Sequence, residues 1–412
     1  MTIDWIHLAT LVGAVQGFLL AGALAAHRSN RTANRLLAVL IATFTVYLIQ
    51  EVYYSAGLIR AYPHFFGISY PLPWVFGPLV YLYAVAASDG TRRLRARDAL
   101  HFVPVIVVLI AAVPIYMMSG ADKVALFERL QSGDAPTLVR VLEPFKYISG
   151  LSYSVATVAN LRQHRRRVEN SYSNTERVNL LWLLWLSGAA ACIWLLASLI
   201  DATNITLWRM ARPSDVVVAL SITLLVYAIG YLGLRQPEIF RYDGPPPAAA
   251  AATTTPPASL PQSAERGDAP TERNERYERS GLGDAEAGAL KAALVALMNK
   301  EQPYRDPDLT LPNLAERLGT TPHKLSEVLN AELSQTFYDF VNSYRVEEVR
   351  RRLAKAEAKQ MNLLTLAMDA GFASKSTFNQ VFKKQTGQTP STYRKTVAAA
   401  SLGSDSSLTP MT

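Results

Sequence analysis

One cysteine, Cys192, is all that the 412 residues contain. An intrachain disulfide and a cysteine-based zinc site are thereby excluded. The six histidines (His7, His27, His64, His101, His164 and His323) include no pair at the helical i, i+4 spacing. No metal site is expected from such a set. A glycine-rich phosphate loop is absent, as is a Ser–Lys or His/Glu pair at a catalytic spacing. The chain therefore reads as a non-enzyme without a cofactor. Charge is also scarce, at 18 % of residues, against 50 % hydrophobic residues and a mean hydropathy of +0.11. That hydropathy is high for a soluble protein, and the apolar residues are clustered. What charge there is leans basic, with 41 Lys and Arg against 33 Asp and Glu and a pI near 9.4. Such a balance favours anionic partners, either lipid or nucleic acid.

Seven apolar runs near the ~20 residues needed to cross a bilayer occupy roughly 3–26, 36–58, 65–87, 99–118, 142–161, 179–200 and 214–234. The fifth is the most polar, since it carries Glu143, Lys146, Ser149, Ser152 and Ser154. Arginine clusters fall in the odd-numbered loops: Arg28, Arg31 and Arg35, then Arg92, Arg93, Arg95 and Arg97, then Arg162, Arg165, Arg166, Arg167 and Arg177. By the positive-inside rule these loops are cytoplasmic, which places the N-terminus outside and the C-terminal domain in the cytoplasm. Removing one span would put either the arginines or that domain on the wrong side. Ala23-Leu24-Ala25 resembles a signal-peptidase site, but no positive region precedes it and the segment reads as a span.

Polar residues within spans are costly and raise a functional question. Gln50, Glu51, Tyr54, Trp74 and Lys146 fall toward the outer ends of their spans and form a candidate pocket for a small-molecule or membrane signal. An interfacial belt of aromatic and snorkelling side chains is the plainer reading of any one of them.

Composition changes after Tyr242. Residues 237–284 are first Pro/Ala/Thr-rich and then charged, with too few apolar residues to order themselves. Helical periodicity returns near Glu286, with Leu290, Leu294 and Leu297 on one face. Two similar stretches follow. Leu314-Ala315-x-x-x-Gly319 precedes Leu325, Val328 and Leu329; Leu366-Ala367-x-x-x-Gly371 precedes Phe378, Val381 and Phe382. In each, alanine permits close helix approach, glycine makes the turn, and an apolar triplet at i, i+3, i+4 buries the second helix. Between them Phe337 to Lys355 reads as one long helix, its outer face carrying Arg345, Arg350, Arg351, Arg352 and Lys355. Residues 398–412 read as a disordered tail.

The run Ala367-x-x-x-Gly371-Phe372-x-Ser374-x-Ser376-x-Phe378-Asn379-x-x-Phe382-Lys383-Lys384-x-x-Gly387-x-Thr389-Pro390-x-x-Tyr393-Arg394 carries a resemblance. Residues 285–397 resemble the DNA-binding domain of the AraC/XylS family of bacterial transcription regulators. Gln380 stands where many members carry arginine. The apolar N-terminal part is similar to the subset of these regulators with a multi-span membrane domain. The resemblance implies double-stranded DNA as partner, read by two recognition helices. The first, Pro322 to Ala331, would expose His323, Lys324, Ser326, Glu327 and Asn330. The second, Ser374 to Gln385, would expose Lys375, Ser376, Thr377, Asn379, Gln380 and Lys383, with Lys384 beside them.

The expected architecture is all-α: a seven-helix transmembrane bundle (1–236), a disordered linker (237–284) and an all-helical domain with two helix-turn-helix units. The expected protein is a multi-pass regulator of the bacterial cytoplasmic membrane, acting on DNA as a homodimer under control of a sensed signal. The alternative is a membrane transporter or receptor whose C-terminal helical domain docks protein partners.

Overall fold

A computed structural model describes residues 5–27, 30–89, 92–132, 134–175, 180–206, 213–235, 283–354 and 361–405. Among these residues every regular element is helical, and one isolated antiparallel bridge joins Tyr172 to Thr310. The chain divides into two units: Met1–His164 with Leu180–Gly244, and Arg165–Asn179 with Pro245–Thr412. The expected linker, save its last two residues, and Lys355 at the end of the expected long helix lie outside the described residues.

Helices α1 (Trp5–Ala26), α2 (Arg31–Ser55), α3 (Pro73–Ser88), α4 (Val103–Tyr116), α6 (Thr137–Ser171), α7 (Leu181–Thr206) and α8 (Pro213–Arg235) each overlap one of the seven apolar runs and lie in the first unit, save the end of α6 from Arg165 on. Among the described residues four stretches are long and apolar enough to cross a membrane: Leu8–Ala26, Arg31–Ser55, Ala96–Tyr116 and Trp182–Ala202. Pro73–Ser88 and Val218–Ile229 are apolar but shorter. The third helix begins later than the expected run because 3-10 turns at Leu58–Arg60 and Pro63–Phe65 are followed by further turns over 66–72. An additional helix, α5 (Gly120–Gln131), lies between α4 and α6. Ser119 caps it, its hydroxyl accepting from the Asp122 amide at 3.2 Å.

The core of this unit gathers Ala14, Leu37, Ile41, Leu48, Phe76, Leu82, Leu183 and Val226. Small residues permit the close approaches. A Cβ on Gly150 would lie 2.6 Å from Trp194 Cδ2, and one on Gly77 would lie 2.9 Å from Tyr153 Cβ. The outward faces are apolar as well: Phe18, Leu19, Ile106, Ile110, Ile148, Val155, Leu199 and Leu224 are all exposed. Exposed apolar surface on this scale marks contact with another apolar phase or partner.

The second unit contains α9 (Asp284–Lys300), α10 (Leu311–Arg317), α11 (Pro322–Glu332), α12 (Phe337–Leu353), α13 (Leu363–Asp369), α14 (Lys375–Thr386) and α15 (Pro390–Asp405). Helix α15 continues past the expected boundary at 397. Each short helix starts at a side-chain cap, which occupies an amide that the helix itself leaves open. Thr310, Thr321, Thr336, Asn362 and Ser374 cap α10 to α14 in turn. Gly387, at φ 74°, ends α14 in the left-handed conformation that glycine adopts without strain.

Helix α12 serves two cores. Phe337, Phe340 and Val341 pack with Leu294, Leu314, Leu325 and Leu329. Val346, Val349 and Leu353 pack with Leu366, Phe372, Phe378, Val381 and Phe382. One continuous helix thus joins the pair α10–α11 to the pair α13–α14.

Candidate nucleic-acid interface and signal pocket

The first unit contains a cavity of about 320 Å³. Glu51 and Tyr54 from α2 line it, with Glu143 and Lys146 from α6 and Phe127 from α5. Tyr47, Tyr70 and Tyr116 add phenol rings. Lys146 Nζ lies 2.6 Å from Glu143 Oε2, and both side chains are mostly buried. Tyr54 stacks on Phe127 at 5.5 Å between centroids, and its hydroxyl accepts from the Gly67 amide at 3.1 Å. Three of the five expected pocket residues, Glu51, Tyr54 and Lys146, therefore line one cavity. Gln50 and Trp74 do not line it. Gln50 donates to the Phe65 carbonyl at 3.1 Å, and Trp74 packs with Val105 and Val108. Glu143 and residues of α5 line the cavity as well, beyond the five expected. The signal for Glu143 was its i, i+3 relation to Lys146; α5 resembles an ordinary polar loop by composition.

In the second unit, α14 buries Phe378, Val381 and Phe382 and turns Lys375, Ser376, Asn379, Gln380, Lys383 and Lys384 outward. The aromatic stack holds the helix firmly. Phe378 lies 5.2 Å from Phe372 and 5.5 Å from Phe382, which lies 5.4 Å from Tyr393. Such ring pairs add about 0.5–1.5 kcal/mol each beyond their buried area. Helix α11 likewise buries Leu325, Val328 and Leu329 and exposes His323 and Asn330.

Residues 314–396 match the family model described as a helix-turn-helix domain. An uncharacterized HTH-type transcriptional regulator of Staphylococcus aureus (strain COL) is 32 % identical over 87 residues, which is 21 % of this chain and 11 % of that protein. The uncharacterized HTH-type transcriptional regulator YtdP of Bacillus subtilis (strain 168) shows 32 % identity over 88 residues, with the same two shares. The probable transcription factor PqrA of Proteus vulgaris is 27 % identical over 94 residues, covering 23 % of this chain and 75 % of PqrA. The chain thus spans about a tenth of the length of the first two relatives. No solved structure matches the chain.

The matched stretch runs from within α10 into α15. Within it the expected outward residues fall into three groups. Lys375, Asn379, Gln380 and Lys383 are exposed, and their side chains make no hydrogen bond or ion pair among the described residues. Others are engaged locally. Lys384 pairs with Asp339 at 2.7 Å and Lys324 with Glu286 at 2.6 Å. Asn330 Nδ2 donates to the Ser326 carbonyl at 2.9 Å, and Ser376 Oγ lies 2.9 Å from Ser374 Oγ. Two residues turn inward. Thr377 is 7 % exposed, because it is the position whose amide the Ser374 cap holds at 3.2 Å. Glu327 has its Oε2 buried without a hydrogen-bond partner.

The arginines of α12 depart furthest from expectation. Arg345, expected on an outer face, is 1 % exposed. Its Nε donates to the Tyr304 carbonyl and its Nη2 to the Asp306 carbonyl, both at 2.7 Å. Burial pulls its pKa down to about 10, which leaves it a cation at neutral pH. Arg351 and Arg352 converge on the buried Glu348 carboxylate, Arg352 Nε at 2.7 Å. Arg350 pairs with Glu347 at 2.8 Å and donates to the Tyr393 hydroxyl at 3.1 Å. Much of the charge on α12 therefore serves internal packing.

Proposed function

We propose that this chain is a membrane-integrated transcription regulator that binds DNA sequence-specifically through two helix-turn-helix units. The observation that carries the reading is the outward face of α14. Lys375, Asn379, Gln380 and Lys383 stand together on a helix fixed by a buried aromatic stack. Asn and Gln can pair bidentately with adenine in a major groove, and lysines can neutralise phosphates. From Asn362 to Lys395 there are five basic residues and one acidic residue. Helix α11 would be the second reader, with α12 as a spacer roughly 26 Å long at 1.5 Å per residue. A homodimer would raise the effective concentration of each reader at a paired operator.

The first unit would sit in the bacterial cytoplasmic membrane as seven spans, α1 to α4 and α6 to α8. Its exposed apolar faces and the arginine distribution support this placement, with the N-terminus outside and the DNA-binding domain in the cytoplasm. The cavity holding Glu51, Tyr54, Glu143 and Lys146 would be the signal site. Its tyrosines and phenylalanines suit an amphipathic small molecule with a flat apolar body, and its charges suit a polar end group.

A gel-shift series over rising salt tests the DNA reading. Wild-type chain should select one duplex from competitors and lose affinity steeply with salt, whereas Asn379→Ala should lose the preference. Equal binding of every duplex by both proteins at all salt concentrations would refute it.

A further inference from the structure

Arg165–Asn179 belongs to the second unit, although the sequence puts it in a loop between two apolar helices. Ser173 is the reason. Its residue is 0 % exposed, and its amide, carbonyl and hydroxyl all bond to other residues of the same unit. The Ser173 amide and hydroxyl donate to the Leu309 carbonyl at 3.2 and 2.7 Å. Its carbonyl accepts from Asn342 Nδ2 and Arg345 Nη1, both at 3.2 Å, and its hydroxyl accepts from Arg345 Nη2 at 3.1 Å. Beside it Tyr172 pairs with Thr310, the residue that caps α10.

We infer that Tyr172–Ser173 is a docking strap through which α6 engages the DNA-binding domain and sets its affinity for DNA. Three features favour a reversible contact over a permanent one. The dock is polar, and Arg345 keeps the Tyr304 and Asp306 carbonyls as partners when the strap leaves. A guanidinium facing a vacated site can be hydrated, whereas an exposed apolar pocket could not. The Tyr172 hydroxyl is buried without a hydrogen-bond partner among the described residues, a cost that water removes on release.

The strap also lies at an informative place in the chain. It directly follows α6, the 35-residue helix that carries Glu143 and Lys146 of the cavity. From Lys146 to Ser171 that helix is roughly 38 Å long at 1.5 Å per residue.

The test uses the full chain in lipid nanodiscs, and its DNA-affinity arm rests on the proposed function. In a Cys192→Ser background, Tyr172→Cys with Thr310→Cys places two thiols at a bridge pair, a spacing that a disulfide spans. Oxidation locks the strap; Ser173→Arg, too large for a fully buried site and of like charge to Arg345, releases it. Amide exchange in α11 and α14 verifies that the released variant remains folded. The probe is a duplex enriched by the wild-type chain from a random pool. Locked and released proteins should fall on opposite sides of wild type, about fivefold or more apart in Kd, as a coupling of ordinary size gives. Equal Kd for the two, or failure of the disulfide to form, overturns the strap. Failure of the wild-type chain to enrich any duplex overturns the DNA reading instead, while the disulfide yield still tests the dock.

Discussion

Gly319 and Gly371 occupy equivalent places in the two helix pairs, yet they should respond very differently to alanine. Both have positive φ, 63° and 96°. A side chain in the left-handed region costs about 1–2 kcal/mol, and the reduced freedom of the unfolded chain returns about 0.4–1 kcal/mol. For Gly319 nothing lies within 4 Å of the added Cβ, so the net loss should stay near 1 kcal/mol. At Gly371 the Cβ would fall on the Tyr304 carbonyl oxygen and 2.8 Å from Arg305 Cα. These are backbone atoms, and the Tyr304 carbonyl also receives Arg345 Nε. Displacing them adds about 1–3 kcal/mol of overpacking and weakens a charged hydrogen bond worth about 1.5–3 kcal/mol. Gly371→Ala should therefore destabilise the domain by about 3–5 kcal/mol in all, a large share of the ~5–15 kcal/mol typical of a domain. Thermal unfolding of residues 283–412 followed by circular dichroism measures both variants. The melting temperature should fall by about 15 °C or more for Gly371→Ala and by less than about 8 °C for Gly319→Ala. Equal melting temperatures would refute the close approach of this turn to Tyr304–Arg305.

Other positions separate stability from recognition. Ser374→Ala removes the cap of α14 and should cost about 1 kcal/mol in urea unfolding. Phe378→Ala empties a 2 %-exposed site within the aromatic stack and should cost about 3–5 kcal/mol in the same assay. Lys383→Ala should leave stability unchanged, weaken all duplexes alike and lower the salt slope of binding by about one. In the first unit, Gly150→Leu would drive a side chain into Trp194 and should lower the melting temperature in detergent, whereas Gly188→Leu, with nothing within 4 Å of its Cβ, should not.

The sequence exposes the helix-turn-helix pattern because both halves obey one local rule: a small residue, a glycine turn and an apolar triplet. Each element of that rule acts within a dozen residues. Arg345 breaks the reading because hydropathy treats arginine as outward. Its spacing held a clue, since Val341, Arg345 and Val349 lie at i, i+4 and i+8 on one buried stripe. Thr377 was misplaced for a related reason: a residue three beyond a serine cap turns toward the cap and away from the groove-facing side. Helix α5 has only twelve residues and four charged ones, so nothing in its composition separates it from a loop. The strap carries no periodic signal, because Ser173 meets partners 136 to 172 residues away. Pocket residues fared between these extremes. Polarity within apolar runs pointed to Glu51, Tyr54 and Lys146, but Gln50 and Trp74 spend theirs on local packing.

The proposed function has one chain both reside in the membrane and read DNA. Its most direct test is selection from a randomised duplex pool by the full chain reconstituted in lipid nanodiscs. A motif with two elements about one helical turn (~34 Å) apart should be enriched, and Asn379→Ala together with Gln380→Ala should abolish the enrichment. Recovery of duplexes without a shared motif, or an identical motif from the double variant, would contradict it.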